Sequence, residues 1–434
     1  MKSLAWKLVV AVLAVFAGAA ATFAHPMPNS LLLLDVFHDR VEAQIHIPIT
    51  DLGLATGFDF GADPSAFVAG HEPEIADYLL THTAALAEDG TAWTVFVGDI
   101  SVEQARTDAG LYAELGAELV LTPPPGLTTT AFVLDYDAVI HQVVTHAILV
   151  SVRQDWMNGQ VEPDSSESTQ VGVIQVNPVD GTIAPLSLDL SAGSYLTGFV
   201  HMMQLGMTHI AAGTDHLLFL LVLLLPAPLL ATSGAWRGYA GSQASLWKIV
   251  RIVTAFTIGH SATLVLAGLL RLELPQQPIE VLIALTIMIG AVHALRPLFA
   301  GREVYIAGAF GLIHGMAFSF TLAELDLSTP QLILSLLGFN LGIELVQLAI
   351  VLAAMPALLM LARSGFYTPV RIAGGLTALL AAIGWVAARL GMNNPLAEMA
   401  DALGAYAPHI IAALTAGAVL AMLASRYAPA PPKT

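Results

Sequence analysis

Hydrophobic patterning divides the chain into two regimes that meet near Ser191. From His25 to about Ser191, apolar residues come in short alternating or β-branched runs at 31–37, 41–48, 93–97, 131–136 and 143–152. Turn formers separate them, among them His38-Asp39-Arg40 and Pro123-Pro124-Pro125-Gly126. Strands at this spacing predict a mainly β, sandwich-like domain, although 66–87 reads as helical. Beyond Ser191 the apolar segments approach or exceed the roughly 20 residues that a bilayer crossing needs. Seven spans are predicted, near 211–231, 248–270, 278–299, 303–323, 331–361, 369–390 and 404–425. The fold class expected is therefore an α-helical polytopic membrane bundle preceded by an exported, mainly β domain.

Composition supports the division. The 434 residues are 56% hydrophobic and 11% charged with a mean hydropathy of +0.73, too apolar for a soluble chain of this length. Most acids lie before Ser191, whereas eleven of the sixteen Lys and Arg residues come after it, an asymmetry that argues against nucleic-acid binding. With seven spans, Arg237, Lys248, Arg251, Arg296, Arg302, Arg363, Arg371, Arg426 and Lys433 share one face, and only Arg271 and Arg389 take the other. The basic face is expected to be cytoplasmic, together with the tail.

At the start, Lys2 and Lys7 precede an apolar run and the small-residue end Thr22-Phe23-Ala24, which reads as a signal peptide cleaved after Ala24. The alternative is an uncleaved anchor, and either would export the β domain. The domains expected are a signal peptide at 1–24, an exported domain at 25–190, a transmembrane helical domain at 191–427 and a cytoplasmic tail at 428–434. The setting is the inner membrane with the N-terminal domain periplasmic. Cysteine is absent, so a metal site must use other ligands.

Polar groups interrupt the apolar spans. A charged side chain at the centre of a span costs roughly 2.5–3.5 kcal/mol on insertion scales and so calls for a reason. His209, Asp215, His216, His260, His314, Asn340 and Glu344 are the candidate metal ligands, drawn together in one outward-facing pocket. His293 is set aside as interfacial, and Gln347 extends the Asn340 face. His209 and His216 lie about 10.5 Å apart in a straight helix, so a break near Gly213 is needed to bring them together. Neutral imidazoles with carboxylates suit Ni²⁺, Co²⁺ or Zn²⁺ better than Mg²⁺ or Ca²⁺.

HIAAGTDHLLFLL resembles the His-x5-Asp-His signature of the HupE/UreJ membrane proteins, and GLIHGMAF resembles their second motif at His314. FTIGHSATL and FNLGIELVQ are similar to the larger branch, which carries an N-terminal exported domain. The chain departs from the shorter permeases at Ile210, Met316 and Phe318, where they carry proline and further histidines. The resemblance implies an accessory of hydrogenase or urease and a nickel or cobalt permease. It further implies metalloenzyme maturation proteins as candidate partners, beside the metal ion and the lipid bilayer.

The expected function is thus a non-enzymatic permease for nickel or cobalt, with zinc or copper as further cargo, and no prosthetic group. No His-Glu-x-x-His helix or nucleophile motif suggests catalysis. The alternative is a non-transporting membrane accessory protein whose exported domain binds a partner or captures metal. There His25, exposed by cleavage, would chelate through its amine and ring, with His38, His46, His141 and His146 as further ligands.

Overall fold

The computed structural model describes residues 29–107, 110–161, 168–270, 275–317, 325–364 and 366–427. The signal peptide, His25 and the tail at 428–434 lie outside them. The chain divides into two units, one comprising 1–154 with 163–189 and the other 155–162 with 190–434.

The first unit is β-rich. β1 (Ser30–Val36) and β2 (Val41–Pro48) form a hairpin, followed by the helices α1 (Ile49–Thr56), α2 (Pro64–Gly70) and α3 (Glu72–Thr81). Then come β3 (Thr83–Leu86), β4 (Thr94–Thr107), β5 (Gly110–Thr122), β6 (Ala131–Tyr136), β7 (Ala147–Asp155), β8 (Thr169–Gln175) and β9 (Leu186–Asp189). They make two open sheets, ordered β4-β5-β2-β1-β7-β8 and β3-β6-β9.

Alternation fixes the register. Along β2, Val41, Ala43, Ile45 and Ile47 are buried while Glu42, Gln44 and His46 are half-buried, and along β5 Leu115, Ala117, Leu119 and Leu121 are buried. Fully burying a Val, Leu or Ile side chain stabilises by about 1.5–3 kcal/mol, and a one-residue slip would exchange that whole set for polar groups. α1 packs on β2 and β5, and α2 and α3 pack on β4.

His146 is a structural member of this unit. Its Nε2 accepts the Ser30 N–H at 3.1 Å, so Nδ1 carries the proton and donates to Asp51 Oδ2 at 2.8 Å. Both ring nitrogens are engaged, which removes His146 from the candidate ligands.

The second unit is helical. A 3₁₀ turn, Trp156–Asn158, precedes α4 (Tyr195–Ala212) and α5 (Thr214–Leu224), and a small hairpin of β10 (Leu229–Thr232) and β11 (Ala235–Tyr239) comes next. Beyond it lie α6 (Ser242–Leu270), α7 (Gln276–Leu295), α8 (Glu303–Ala317), α9 (Thr329–Ser364), α10 (Tyr367–Arg389), α11 (Pro395–Gly404) and α12 (Ala407–Tyr427). Trp156 is buried among Met202, Leu336 and Phe339, and its indole N–H donates to Ser335 Oγ at 2.8 Å.

Among the described residues the expected seven spans are corrected to four, or up to six if each bent pair counts as one. The four are Ser242–Ala267, Gln276–Leu295, Thr329–Ser364 and Tyr367–Arg389. The bent pairs are α4 with α5, turning by 70° at Gly213, and α11 with α12, turning by 72°. The helix expected as the fourth span is described only over Glu303–Ala317, which at 1.5 Å per residue reaches about 22 Å of the roughly 30 Å required. Several long apolar helices nonetheless make this a multi-pass membrane protein.

Helix pairs approach through glycine. A Cβ at Gly342 would lie 2.0 Å from the Met203 carbonyl oxygen, and one at Gly206 would lie 2.2 Å from that of Phe339, so α4 and α9 meet backbone to backbone. α6 and α8 meet likewise, where a Cβ at Gly311 would lie 2.1 Å from the Phe256 carbonyl and one at Gly315 would lie 2.2 Å from that of His260. Lipid supplies no hydrophobic drive between helices, so such close packing carries the association.

Alanine at two glycines should therefore act in opposite directions. Gly417 on α12 faces open space, so Gly417→Ala should keep the gain of about 1 kcal/mol in helix propensity, whereas Gly342→Ala should lose more than that to overpacking of about 1–3 kcal/mol. Thermal melting in detergent tests this, and a Gly342→Ala protein as stable as wild type would refute the packing argument.

Burial lowers the pKa of His146 despite the opposing effect of Asp51. Below pH about 6.5 the unfolded chain therefore binds more protons than the folded one, so stability is full above that pH and falls as pH drops. Denaturation of the full chain at pH 7.5 and 5.5 should show a smaller pH difference in His146→Gln; an unchanged difference would exclude this residue as the source.

Candidate metal centre

The helical unit brings part of the expected ligand set together. The break at Gly213 places the His209 and His216 rings 4.8 Å apart, and those of His216 and His314 lie 5.5 Å apart. Several of their polar atoms, however, are spent on the protein. Asp215 Oδ1 accepts the His216 amide at 2.8 Å and lies 2.9 Å from His216 Nδ1. Thr214 does not cap α5; its hydroxyl donates to the Asp401 carbonyl at 3.0 Å.

Between helices the polar groups pair. Thr286 gives its only hydroxyl proton to the Ile283 carbonyl at 2.7 Å, so it accepts the His314 Nε2–H at 2.8 Å, joining α7 to α8. The Ser261 hydroxyl donates to Asn340 Oδ1 at 2.7 Å, joining α6 to α9. His260 is buried beside Phe256. Glu344 is exposed, whereas His216, His260 and His314 are buried. His293 stacks on Phe299 at 3.7 Å and accepts the Leu298 N–H at 3.1 Å.

Among the described residues, groups of three or more His, Asp or Glu side chains whose ligand atoms all lie within 4.8 Å of one another occur twice, both in the β-rich unit. They are His82, Asp137 and His141, and His46, Glu103 and Glu114. This overturns the expected permease with an intramembrane His/Asp/Glu pocket. Some polar side chains of the spans pair across helices, as Ser261 does with Asn340 and Thr286 with His314, whereas both ring nitrogens of His260 are buried with no hydrogen-bond partner.

Strand pairing builds the first centre. Thr83 pairs with Tyr136 where β3 meets β6, which sets the neighbouring His82 and Asp137 side by side, and the Asp137 N–H donates to the His82 carbonyl at 3.2 Å. His82 Nδ1 lies 2.7 Å from Asp137 Oδ1. A turn after β6 then returns His141 over the same aspartate. Val139 at its centre has φ +71°, a left-handed conformation that a β-branched residue adopts only under strain of about 1–3 kcal/mol.

The strain is held in place. Tyr78 Oη accepts the Val139 N–H at 2.9 Å, Ile140 N–H donates to the Ala138 carbonyl at 2.9 Å, and Val139 is fully buried. Burial pushes the Tyr78 hydroxyl pKa up, so it stays protonated. The result stacks the His82 and His141 rings 4.0 Å apart at 17°. His141 Nδ1 lies 3.1 Å from the Asp137 backbone carbonyl, which can only accept, so Nδ1 carries the proton and Nε2 keeps a lone pair. A ring fixed in this tautomer by a carbonyl is the usual posture of a metal-binding histidine.

The second group spans three adjacent strands, with His46 on β2, Glu103 on β4 and Glu114 on β5. His46 Nδ1 lies 2.9 Å from Glu114 Oε1, and the Tyr112 hydroxyl donates to Glu114 Oε2 at 3.0 Å. Burial, and then the bond to Glu114, push the Tyr112 pKa up to about 12 and keep it a donor.

Of these ligands the sequence singled out His46 and His141, though not with these partners. His82 and Asp137 were missed, being 55 residues apart with no motif between them; only the β3–β6 pairing reveals them. His141 sits in a turn and His146 directly before β7, so neither is on a strand. His38 is exposed beside Asp39, 3.7 Å away.

No curated protein and no solved structure matches the chain. A family model does, over somewhat less than half of the 434 residues, covering the helices from α4 to α10 and not the β-rich unit. Residues 188–389 match the family described as HupE / UreJ protein, so the helical half of this chain carries a HupE/UreJ-family domain.

Proposed function

We propose that the chain is a non-transporting membrane accessory protein whose exported β-rich domain captures a divalent transition metal. The observation that carries this reading is the convergence of His82, Asp137 and His141, held by a strained turn and with the His141 tautomer fixed. Two imidazoles and one carboxylate suit nickel, cobalt, zinc or copper over magnesium or calcium. The carboxylate would offset the charge of the ion, and the partial exposure of His82 and Asp137, 19% and 36%, leaves a path for exchange.

The helical half anchors the domain to the cytoplasmic membrane, with the β-rich unit on the outer side. The signal-like start and the clustering of basic residues between the apolar segments support this placement. A maturation protein that receives the metal would complete the role.

Calorimetric titration of the purified full chain in detergent with Ni²⁺, Co²⁺ and Zn²⁺ tests the reading. His141→Ala and His82→Ala should each weaken binding by at least about tenfold, while His216→Ala and Glu344→Gln should leave it unchanged. Binding that survives both β-domain substitutions would sink the proposal.

A further inference from the structure

The six-stranded sheet carries an electrostatic conflict. In the β4–β5 register Glu103 stands directly opposite Glu114, and like charges so placed destabilise a strand pair. The arginines bordering this face are already committed. Arg153 bonds Asp35 through Nε and Nη2 and Gln44 through Nη1, while Arg40 Nε donates to Glu42 Oε1 at 2.6 Å. Neither relieves the glutamate pair. The group that does approach is His46, and its partner Glu114 is in turn oriented by the Tyr112 hydroxyl.

Space is left above the pair. A Cβ at Gly116 would lie 3.4 Å from Glu103 Oε1, so glycine there leaves the carboxylate clearance over β5. A cavity of about 600 Å³ adjoins, lined by His46, Tyr112 and Glu114 among others. That is far more than a bare ion needs and leaves room for its waters.

We propose that His46, Glu103 and Glu114 form a second divalent-cation site, oxygen-rich and open to water, distinct in chemistry from the imidazole-rich centre at His82. One nitrogen, two carboxylates and open positions for water suit an octahedral ion of the manganese(II) kind. The ion would take the place of the His46–Glu114 hydrogen bond and would neutralise the opposed glutamates. The proposal rests on its own geometry and does not require the His82 centre to bind anything.

Titration of the full chain in detergent with Mn²⁺ alone, tracked by loss of the free-ion paramagnetic resonance signal, tests it. Wild type should bind, Glu103→Gln should weaken binding at least tenfold, and His141→Ala should not change it. Glu103 is exposed, so that substitution should leave the fold intact. In metal-free protein Glu103→Gln should melt at or above the wild-type temperature, and Mn²⁺ should raise the melting temperature of wild type but not of the variant. Equal Mn²⁺ affinity in wild type and Glu103→Gln would overturn the site. Ni²⁺ binding that depends on His141 would still stand in that event, which separates this failure from failure of the proposed function.

Discussion

The helical half depends on main-chain carbonyls that press against glycine Cα atoms of neighbouring helices. Gly206 and Gly342 do this between α4 and α9, and Gly311 and Gly315 between α6 and α8. In lipid the apolar side chains gain little by leaving one another, so close backbone packing and interhelical hydrogen bonds decide which helices pair. Once the backbones meet, short polar side chains can reach across. Ser261 meets Asn340 where α6 passes α9, and Thr286 meets His314 where α7 passes α8. Some polar residues that look costly one helix at a time are thus satisfied in pairs, although Nδ1 of His314 and both ring nitrogens of His260 stay without a hydrogen-bond partner.

In the β-rich half, strand register plays the corresponding part. Pairing along β3 and β6 is what makes His82 and Asp137 neighbours, and pairing along β2, β5 and β4 lines up His46, Glu114 and Glu103. The first group lies just beyond the ends of β3 and β6, and the second on the ladders themselves. The second step at the first centre is local. Fixing Val139 at positive φ works against the backbone preference of a β-branched residue, and the turn persists because Tyr78 and the burial of Val139 hold it. Strain kept at a cluster of metal-competent side chains is the pattern expected of a preorganised site.

Much of the fold was legible. The run at 41–48 alternates cleanly and is β2, and that at 131–136 is β6, because period-two burial is written in the residues themselves. β5 escaped notice, since an Ala-, Glu- and Leu-rich stretch such as AELGAELVL has helical propensity that pairing on both sides overrides. The break at Gly213 could be inferred from a stretch too long for the bilayer. The span count could not, because the 15 described residues of α8 fall short and two helix pairs bend. The candidate site was legible only in fragments. Charge at membrane depth drew the reading to His216 and Glu344, whereas the convergent ligands lie in strands and a turn, with His82 and Asp137 brought together only by tertiary pairing.

The contrast between two histidines shows why convergence of rings is a weaker criterion than convergence of ligand atoms. His314 lies near His216 and two phenylalanines, yet its Nε2–H is given to a threonine and its bare Nδ1 is buried with no hydrogen-bond partner. An unsatisfied buried acceptor of that kind costs about 1–3 kcal/mol, which a packed helix pair can absorb. His141 gives its Nδ1–H to a backbone carbonyl, and one of its ring nitrogens lies within 4.8 Å of ligand atoms of Asp137 and His82. A cation placed there gains both a donor and a countercharge from one turn of chain. Each imidazole thus keeps one unprotonated nitrogen, and what distinguishes the two is that His141 belongs to a group whose three ligand atoms all lie within 4.8 Å of one another.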